Sequence, residues 1–259
     1  MKSFFYFFYF LFCTLSLWNA QQNHIEVQLL YDTEGYAENH ISGTVLKGTS
    51  EILVPSVNGE MSVNESGALI YNIPLEVLKG INEFQPNLSI SYNSQSGNGL
   101  AGWGWNITGI SIITRGGKSK SVDGITQGPQ FDDTDPFYLD GQRLIKLNST
   151  NFVTEKFSKL KVTKPSGSNY SFIVQYTDGR IAKYKEILSG QNYISTYIDA
   201  FNNEIHYTYA IENNTARVTK ISYGASDQFY VEFVYKNRQK NIQIYRNGNV
   251  YINNKYITE

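Results

Sequence analysis

The chain has 259 residues, 22 of them Lys or Arg and 23 Asp or Glu, which gives a formal net charge of −1. Its length is sufficient for a buried core without covalent links, and its single cysteine excludes a framework of disulfides. A nearly neutral chain with scattered basic residues is a poor ligand for nucleic acid or another polyanion.

Residues 1–20 have the pattern of an export signal. Lys2 precedes the apolar, aromatic residues 4–12, and the small Ala20 suits cleavage before Gln21. The apolar run is too short to span a bilayer, and the bulky residues before Cys13 disfavour a lipid anchor. We therefore expect a secreted, extracellular protein with no stable membrane span after signal cleavage, with the periplasm or the cell surface as alternative destinations.

The rest of the sequence divides at about residue 62. Residues 21–61 form a polar leader that contains a possible strand at 52–57. Residues 62–259 form one β domain, because apolar side chains recur there at every second position. The one helix candidate, residues 75–83, is interrupted by Gly80, which predicts a turn or a single short helical piece.

Turn sequences separate the predicted strands. Residues 170–176 illustrate the strand pattern, with their apolar and aromatic side chains on one face. Three dipeptides can adopt the positive φ angles that two-residue hairpins require, and they are Asp140-Gly141, Asp178-Gly179 and Asn247-Gly248. The sequence therefore predicts an all-β fold, an antiparallel meander of hairpins that forms a sandwich or part of a larger curved shell.

Three segments resemble a known family. They are GALIYNIPL at 67–75, FQPNLSISYNSQSGNGLAGWGWNITG at 84–109 and FYLDGQRL at 137–144. In these segments the chain is similar to the N-terminal domain of the salmonella virulence plasmid B (SpvB) family, which is also found in the B component of insecticidal toxin complexes and is akin to Rhs/YD-repeat shells. The motif positions, for which we expect a structural role, are Pro86, Asn87, Tyr92, Gly97, Gly99, Gly102, Trp103, Gly104, Trp105, Asp140, Gly141 and Arg143.

The resemblance implies a function without catalysis. We expect an exported N-terminal shell segment of a toxin or virulence protein that encapsulates or delivers a cargo polypeptide. YTDGRIAKY at 176–184 and YIDAFNNEIHYTY at 197–209 are similar to degenerate YD repeats. Family shells are far longer than this chain, so we expect a truncated wall whose open strand edges pair with a downstream shell or toxin polypeptide or with a second copy.

No catalytic or cofactor-binding residue is predicted. Some relatives carry an ADP-ribosyltransferase whose signature includes two glutamates one residue apart, and this chain contains no Glu-x-Glu. The segment GNGLAG at 97–102 matches the letters of a dinucleotide-binding motif, but the residues after it cannot form the helix that the motif requires. The G-x-S-x-G motif of serine hydrolases is also absent from the sequence.

Metal binding is disfavoured as well. Asp132, Asp133, Asp135 and Asp140 are clustered, but their spacing fails the EF-hand pattern, so we interpret them as a solvated approach to a hairpin. The three histidines, at positions 24, 40 and 206, are isolated from one another, and the mature chain has no thiol. A zinc site therefore has no support in the sequence.

Trp103 and Trp105 leave two interpretations open. On an extended chain their indoles would point to the same face, and we expect both to fill the sheet interior. The alternative is a secreted β-sandwich that binds carbohydrate or another surface through exposed Trp and Tyr side chains. An outer-membrane barrel is disfavoured, because polar residues such as Gln175 and Glu232 interrupt any lipid-facing band.

Overall fold

The computed structural model describes residues 42–46, 52–56, 58–246 and 249–258. The predicted export signal at 1–20 and the leader residues before position 42 lie outside the described residues.

The chain divides into two units, Met1–Asn58 and Gly59–Glu259. In the first unit, β1 (Ser42–Leu46) and β2 (Ile52–Ser56) form an antiparallel hairpin. The position of β2 agrees with the strand predicted at 52–57.

The second unit begins with a sheet of four strands and a short hairpin. The strands are β3 (Glu60–Val63), β4 (Leu69–Leu75), β5 (Leu88–Asn93), β6 (Asn98–Gly99), β7 (Gly102–Trp103) and β8 (Trp105–Thr108). The sheet has the order β3, β4, β5, β8, and β6 pairs with β7. Leu75 completes β4, and the predicted turn or short helical piece is present as a three-residue 3-10 turn at Ile81–Glu83.

The next eight strands form a closed barrel. They are β9 (Ile112–Arg115), β10 (Phe137–Leu139), β11 (Gln142–Lys146), β12 (Asn151–Thr154), β13 (Lys161–Thr163), β14 (Phe172–Gln175), β15 (Ile181–Leu188) and β16 (Gln191–Ile198). Each pairs with the next, and β16 pairs back with β9. The predicted antiparallel meander is confirmed, and it is closed on itself at this seam.

Three of the remaining strands continue the barrel sheet, and the last two form a separate hairpin. They are β17 (Glu204–Glu212), β18 (Thr215–Tyr223), β19 (Phe229–Glu232), β20 (Tyr235–Arg246) and β21 (Asn249–Ile257). β17 to β19 follow β16 in the barrel sheet, and β20 and β21 form a hairpin. The fold is all-β, and α1 (Lys120–Asp123) is the one α-helix of the described residues. No helix in that part of the chain is long and apolar enough to cross a membrane.

Two apolar cores hold the second unit together. Every strand of the barrel places a buried side chain in its interior, where Phe137, Phe152 and Phe172 form a cluster with ring centroids 4.9–5.9 Å apart. The second core lies between β5 and the layer of β17 to β19, around Leu88, Ile221 and Tyr223. Each large side chain buried in this way contributes about 1.5–3 kcal/mol to stability.

The predicted hairpin turns have different outcomes. Asp140 and Gly141 form a two-residue turn between β10 and β11, with φ angles of 49° and 83°. The prediction at Asp178 and Gly179 was wrong in length, because only Gly179 has a positive φ and the backbone N–H of Tyr176 donates to the carbonyl of Arg180. Residues 247–248 lie outside the described residues.

Candidate functional site

The Gly/Trp segment, residues 97–109, connects the four-stranded sheet to the barrel. Its backbone is fixed by hydrogen bonds of 2.9 Å from Gly104 N–H to the carbonyl of Gly97 and from Asn93 N–H to the carbonyl of Gly104. Gly104 has a φ of 76°, and a Cβ atom there would lie 2.5 Å from the ring of Tyr92. Only glycine fits this position, since both the backbone angle and the neighbouring ring exclude a side chain.

Trp105 packs against the four-stranded sheet. Its ring lies 5.2 Å from that of Tyr92 and 6.4 Å from that of Tyr71, the second contact being edge to face. Tyr92 is also the cross-strand partner of both residues. The three rings form a row across β4, β5 and β8, which is the arrangement in which aromatic pairs stabilise a sheet.

Trp103 does not pack against the four-stranded sheet as Trp105 does. The prediction that both indoles fill the sheet interior was wrong for Trp103, whose side chain is 67 % exposed. The left-handed backbone of Gly104 breaks the alternation of side chains between positions 103 and 105. Trp103 instead pairs with Asn98 in the small β6–β7 hairpin.

The far side of the Gly/Trp segment is held by the β20–β21 hairpin. The guanidinium of Arg238 donates to the carbonyls of Gly99 and, at 2.9 Å, Lys255. The backbone N–H of Ile257 donates to the carbonyl of Leu100 at 2.8 Å. Burial lowers the pKa of Arg238 below its ordinary value. No pattern in the sequence points to Arg238, since it lies 139 positions from Gly99, whose carbonyl it contacts.

Pro86 and Asn87, two motif residues that precede β5, lie near the end of the Gly/Trp segment. Pro86 is buried, whereas the side chain of Asn87 is exposed. The carbonyl of Asn87 lies against Gly109, where a Cβ atom would be 2.0 Å from its oxygen and φ is 94°. The absence of a side chain at Gly109 therefore lets the backbone after β8 lie close to the backbone before β5.

The motif residues of FYLDGQRL lie on the barrel. The carboxylate of Asp140 accepts hydrogen bonds from Ile112 N–H at 2.8 Å and from the hydroxyl of Ser111 at 2.7 Å. Ser111 is in turn 2.7 Å from the hydroxyl of Tyr184, which is fully buried in the barrel. Asp140 thus links the β10–β11 turn to the beginning of β9 and to the barrel interior.

Arg143 holds the loop between β9 and β10. Its guanidinium binds Asp123 of α1 through two contacts of 2.5 and 3.0 Å. The hydrogen bond from Arg143 lowers the pKa of the Asp123 carboxyl, and the same bond raises the pKa of Arg143. Both side chains are largely buried, so the pair fixes α1 to the barrel wall.

The acidic cluster is not a uniform solvated approach. Asp135 is buried, with its carboxylate accepting hydrogen bonds from the backbone N–H groups of Gln130 and Phe131 at 2.6–3.1 Å. Asp132 accepts from Thr134 N–H and its hydroxyl. These carboxylates stabilise the loop, and the described residues contain no group of three acidic, His or Cys side chains that could hold a metal ion.

A groove of about 610 Å³ lies beside β10, β11 and β12 of the barrel. It is lined by Phe137, Phe152, Lys146 and Lys164, among others. Lys164 lies 5.5 Å from the ring centre of Phe137.

Comparison with known proteins agrees with this geometry. Residues 63–193 match the family model described as Salmonella virulence plasmid 65kDa B protein. Comparison with curated protein sequences gives no match.

Several solved structures share the fold. The crystal structure of TcdB2-TccC3 superposes with a TM-score of 0.62 and 14% identity, over 83% of this chain and 14% of that chain. A Photorhabdus luminescens Tc holotoxin pore gives a TM-score of 0.59 and 16% identity, over 83% and 13%. The N-terminal domain of effector protein SpvB from Salmonella typhimurium strain LT2 gives 0.58 and 17%, over 72% and 84%.

The chain therefore spans about one seventh of the toxin-complex chains and most of the SpvB domain. The family match includes the Gly/Trp segment, FYLDGQRL and most of the barrel, and it covers half of the sequence. This chain belongs to the SpvB family of virulence-related proteins.

Proposed function

We propose that the chain is a non-enzymatic, exported shell segment of a toxin or virulence protein, and that it acts by enclosing or delivering a cargo polypeptide. The observation that carries this proposal is the fold shared with TcdB2-TccC3 over 83% of the chain. The TcdB2-TccC3 chain is about six times as long, since 83% of this chain covers 14% of it, so the same fold occurs there as one part of a larger toxin polypeptide.

The architecture suits a wall more than a catalyst. The barrel interior is filled with side chains, including the cluster of Phe137, Phe152 and Phe172. The motif residues are engaged in structural contacts, as in the pair of Arg143 and Asp123. Antiparallel strands with one apolar and one polar face can be packed on one side and wet on the other.

Co-expression tests the association with a second polypeptide. A tagged chain is co-expressed with the polypeptides encoded beside it, purified in two steps and analysed by mass spectrometry. We expect one of these polypeptides to co-purify with the tagged chain in a fixed ratio, in a complex that remains associated at high salt. Recovery of the tagged chain alone from every combination would contradict the proposal.

Export is tested separately. N-terminal sequencing of the protein recovered from the culture medium should place the first residue at or near Gln21. An intact N-terminus on protein that remains inside the cell would contradict export, while the association could still hold.

A further inference from the structure

We propose that Trp103 and the neighbouring hollow form a carbohydrate-binding site. The hollow has a volume of about 430 Å³ and lies between the β6–β7 hairpin and β20. Its size falls within the range of about 300–1,000 Å³ that is typical of ligand pockets. This site is independent of the shell function and goes beyond it.

The first observation is the position of the Trp103 indole. Trp103 is 67 % exposed, whereas Trp105 packs against Tyr92 at 5.2 Å. Directly paired residues in an antiparallel ladder place their side chains on one face about 5 Å apart, so Trp103 lies beside its partner Asn98. Asn98 lines the hollow, so the exposed indole lies next to one of its lining residues.

The second observation is the chemistry of the lining. Four amide side chains line the hollow together with an ammonium and a phenol, and they are Asn98, Asn237, Gln239, Asn241, Lys240 and Tyr256. An amide offers donors and an acceptor, as a sugar hydroxyl does, so the two groups match in both directions. The electron-rich face of an indole can stack on the C–H groups of a pyranose ring.

The third observation is the backbone that presents these amides. The register of β20 and β21 shifts between Asn237 and Ile242, so residues 238–241 lie opposite Asn254 alone. Such bulges redirect side chains and are frequent beside binding sites. Arg238 fixes the bulge by donating to the carbonyls of Gly99 and Lys255. The site is therefore formed before a ligand arrives, which reduces the entropic cost of binding.

The charges favour a hydroxyl-rich ligand over an anionic one. Arg238 donates to two backbone carbonyls, which leaves Lys240 as the exposed cation of the lining. Polyanions need several cations, since their affinity comes from multiple charge contacts. One cation among four amides fits a neutral glycan or a glycan with a single carboxylate.

A glycan array followed by calorimetric titration tests the site. The purified chain is screened against chito-oligosaccharides, galacto-oligosaccharides, sialyllactose and sulfated glycans, and the best neutral or sialylated ligand is titrated. We expect saturable binding that Trp103→Ala weakens about tenfold or more, as for other central aromatic contacts. Gln239→Ala should weaken it as well.

The control is Phe157→Ala, which removes an aromatic side chain that is 86 % exposed on a barrel loop. It should leave the affinity unchanged, and circular dichroism should show that all three variants are folded. Three results would overturn the proposal: a folded chain with no saturable binding on the array, binding unaffected by both site variants, or binding only to sulfated glycans that salt abolishes.

Discussion

The side-chain amide of Asn192 donates a hydrogen bond of 3.1 Å to the backbone carbonyl of Ile113, its direct partner across the seam of the barrel. Asn192 is only 3 % exposed, and Ile113 is fully buried. The bond joins β16 to β9, which lie 79 positions apart in the sequence. The seam is the contact that turns a meander of hairpins into a closed wall.

Asn192→Ala is expected to destabilise the seam. The substitution leaves a buried carbonyl without its side-chain donor and opens a small cavity, which costs about 1–3 kcal/mol. Urea denaturation followed by circular dichroism measures this loss. The matched control is Asn241→Ala, at an exposed asparagine, which should change the free energy of unfolding by less than about 0.5 kcal/mol. Equal effects of the two variants would contradict this role for Asn192.

The Gly/Trp segment should tolerate alanine at one glycine and not at another. Gly104→Ala introduces a Cβ atom 2.5 Å from the ring of Tyr92 at a φ of 76°, and we expect a loss of about 1–3 kcal/mol. Gly97→Ala meets no atom within 4 Å and has no positive φ, so its effect should be small. Thermal unfolding compares the two variants, and a larger loss of stability in Gly97→Ala would contradict the role of Gly104 in this segment.

Arg143 should fix the loop at residues 116–136. Arg143→Ala leaves the partly buried Asp123 carboxylate without its partner, so we expect the free energy of unfolding to fall. Arg143→Lys keeps the charge but loses the paired contacts, so it should rescue only part of the stability. Limited proteolysis of both variants should show new cleavage within 116–136. Unchanged protection of the loop in Arg143→Ala would refute this account.

Stability should fall at alkaline pH. Burial raises the pKa of Tyr176 and of Tyr235 to about 12, and it also raises the pKa of Tyr207 and Tyr209. Above pH ~10, tyrosines ionise in the unfolded chain while these remain protonated in the folded chain. The folded state then binds more protons, so the free energy of unfolding decreases as pH rises from about 10 to 12.

Urea denaturation across this pH range measures the effect. Tyr176→Phe removes one of the titrating groups, so its loss of stability between pH ~10 and ~12 should be smaller than that of the unmodified chain. Phe157→Ala, at a side chain that is 86 % exposed and carries no titrating group, serves as the control and should keep the original profile. If the free energy of unfolding of the unmodified chain does not change between pH ~10 and ~12, the buried tyrosines do not control its stability at alkaline pH.

β3 is expected to mediate self-association. Within the part of the chain that the structure describes, β3 pairs with β4 alone, and its Met61 and Val63 side chains are 73 and 68 % exposed. An apolar strand edge of this kind pairs readily with another chain. Met61→Lys together with Val63→Lys should shift the chain toward monomer in sedimentation velocity. Val122→Lys, on α1, is the control. An equal shift toward monomer in the β3 variant and in this control would contradict self-association through β3.

Local features of the fold could be predicted from the sequence, because they depend on neighbouring residues. The two-residue period places Phe172 and Val174 on the buried face of β14, as found. Asp140 and Gly141 form the predicted hairpin turn, since both can adopt a positive φ.

Features that depend on distant residues could not be predicted in this way. The barrel seam joins Asn192 to Ile113, and no local pattern specifies which strands meet after 79 positions. The exposure of Trp103 follows from the left-handed backbone of Gly104, which breaks the extended geometry that the prediction assumed. Arg238 was missed because its carbonyl acceptor at Gly99 is 139 positions away.

If the chain encloses a cargo polypeptide, as we propose, a co-purified cargo should be protected from protease. The complex is treated with a broad-specificity protease before and after disruption by mild denaturant. We predict that the cargo stays intact in the assembled complex and is degraded once the wall is opened, and that Asn192→Ala lowers the denaturant concentration at which this occurs. Equal degradation of the cargo in the intact complex and in isolation would contradict the claim.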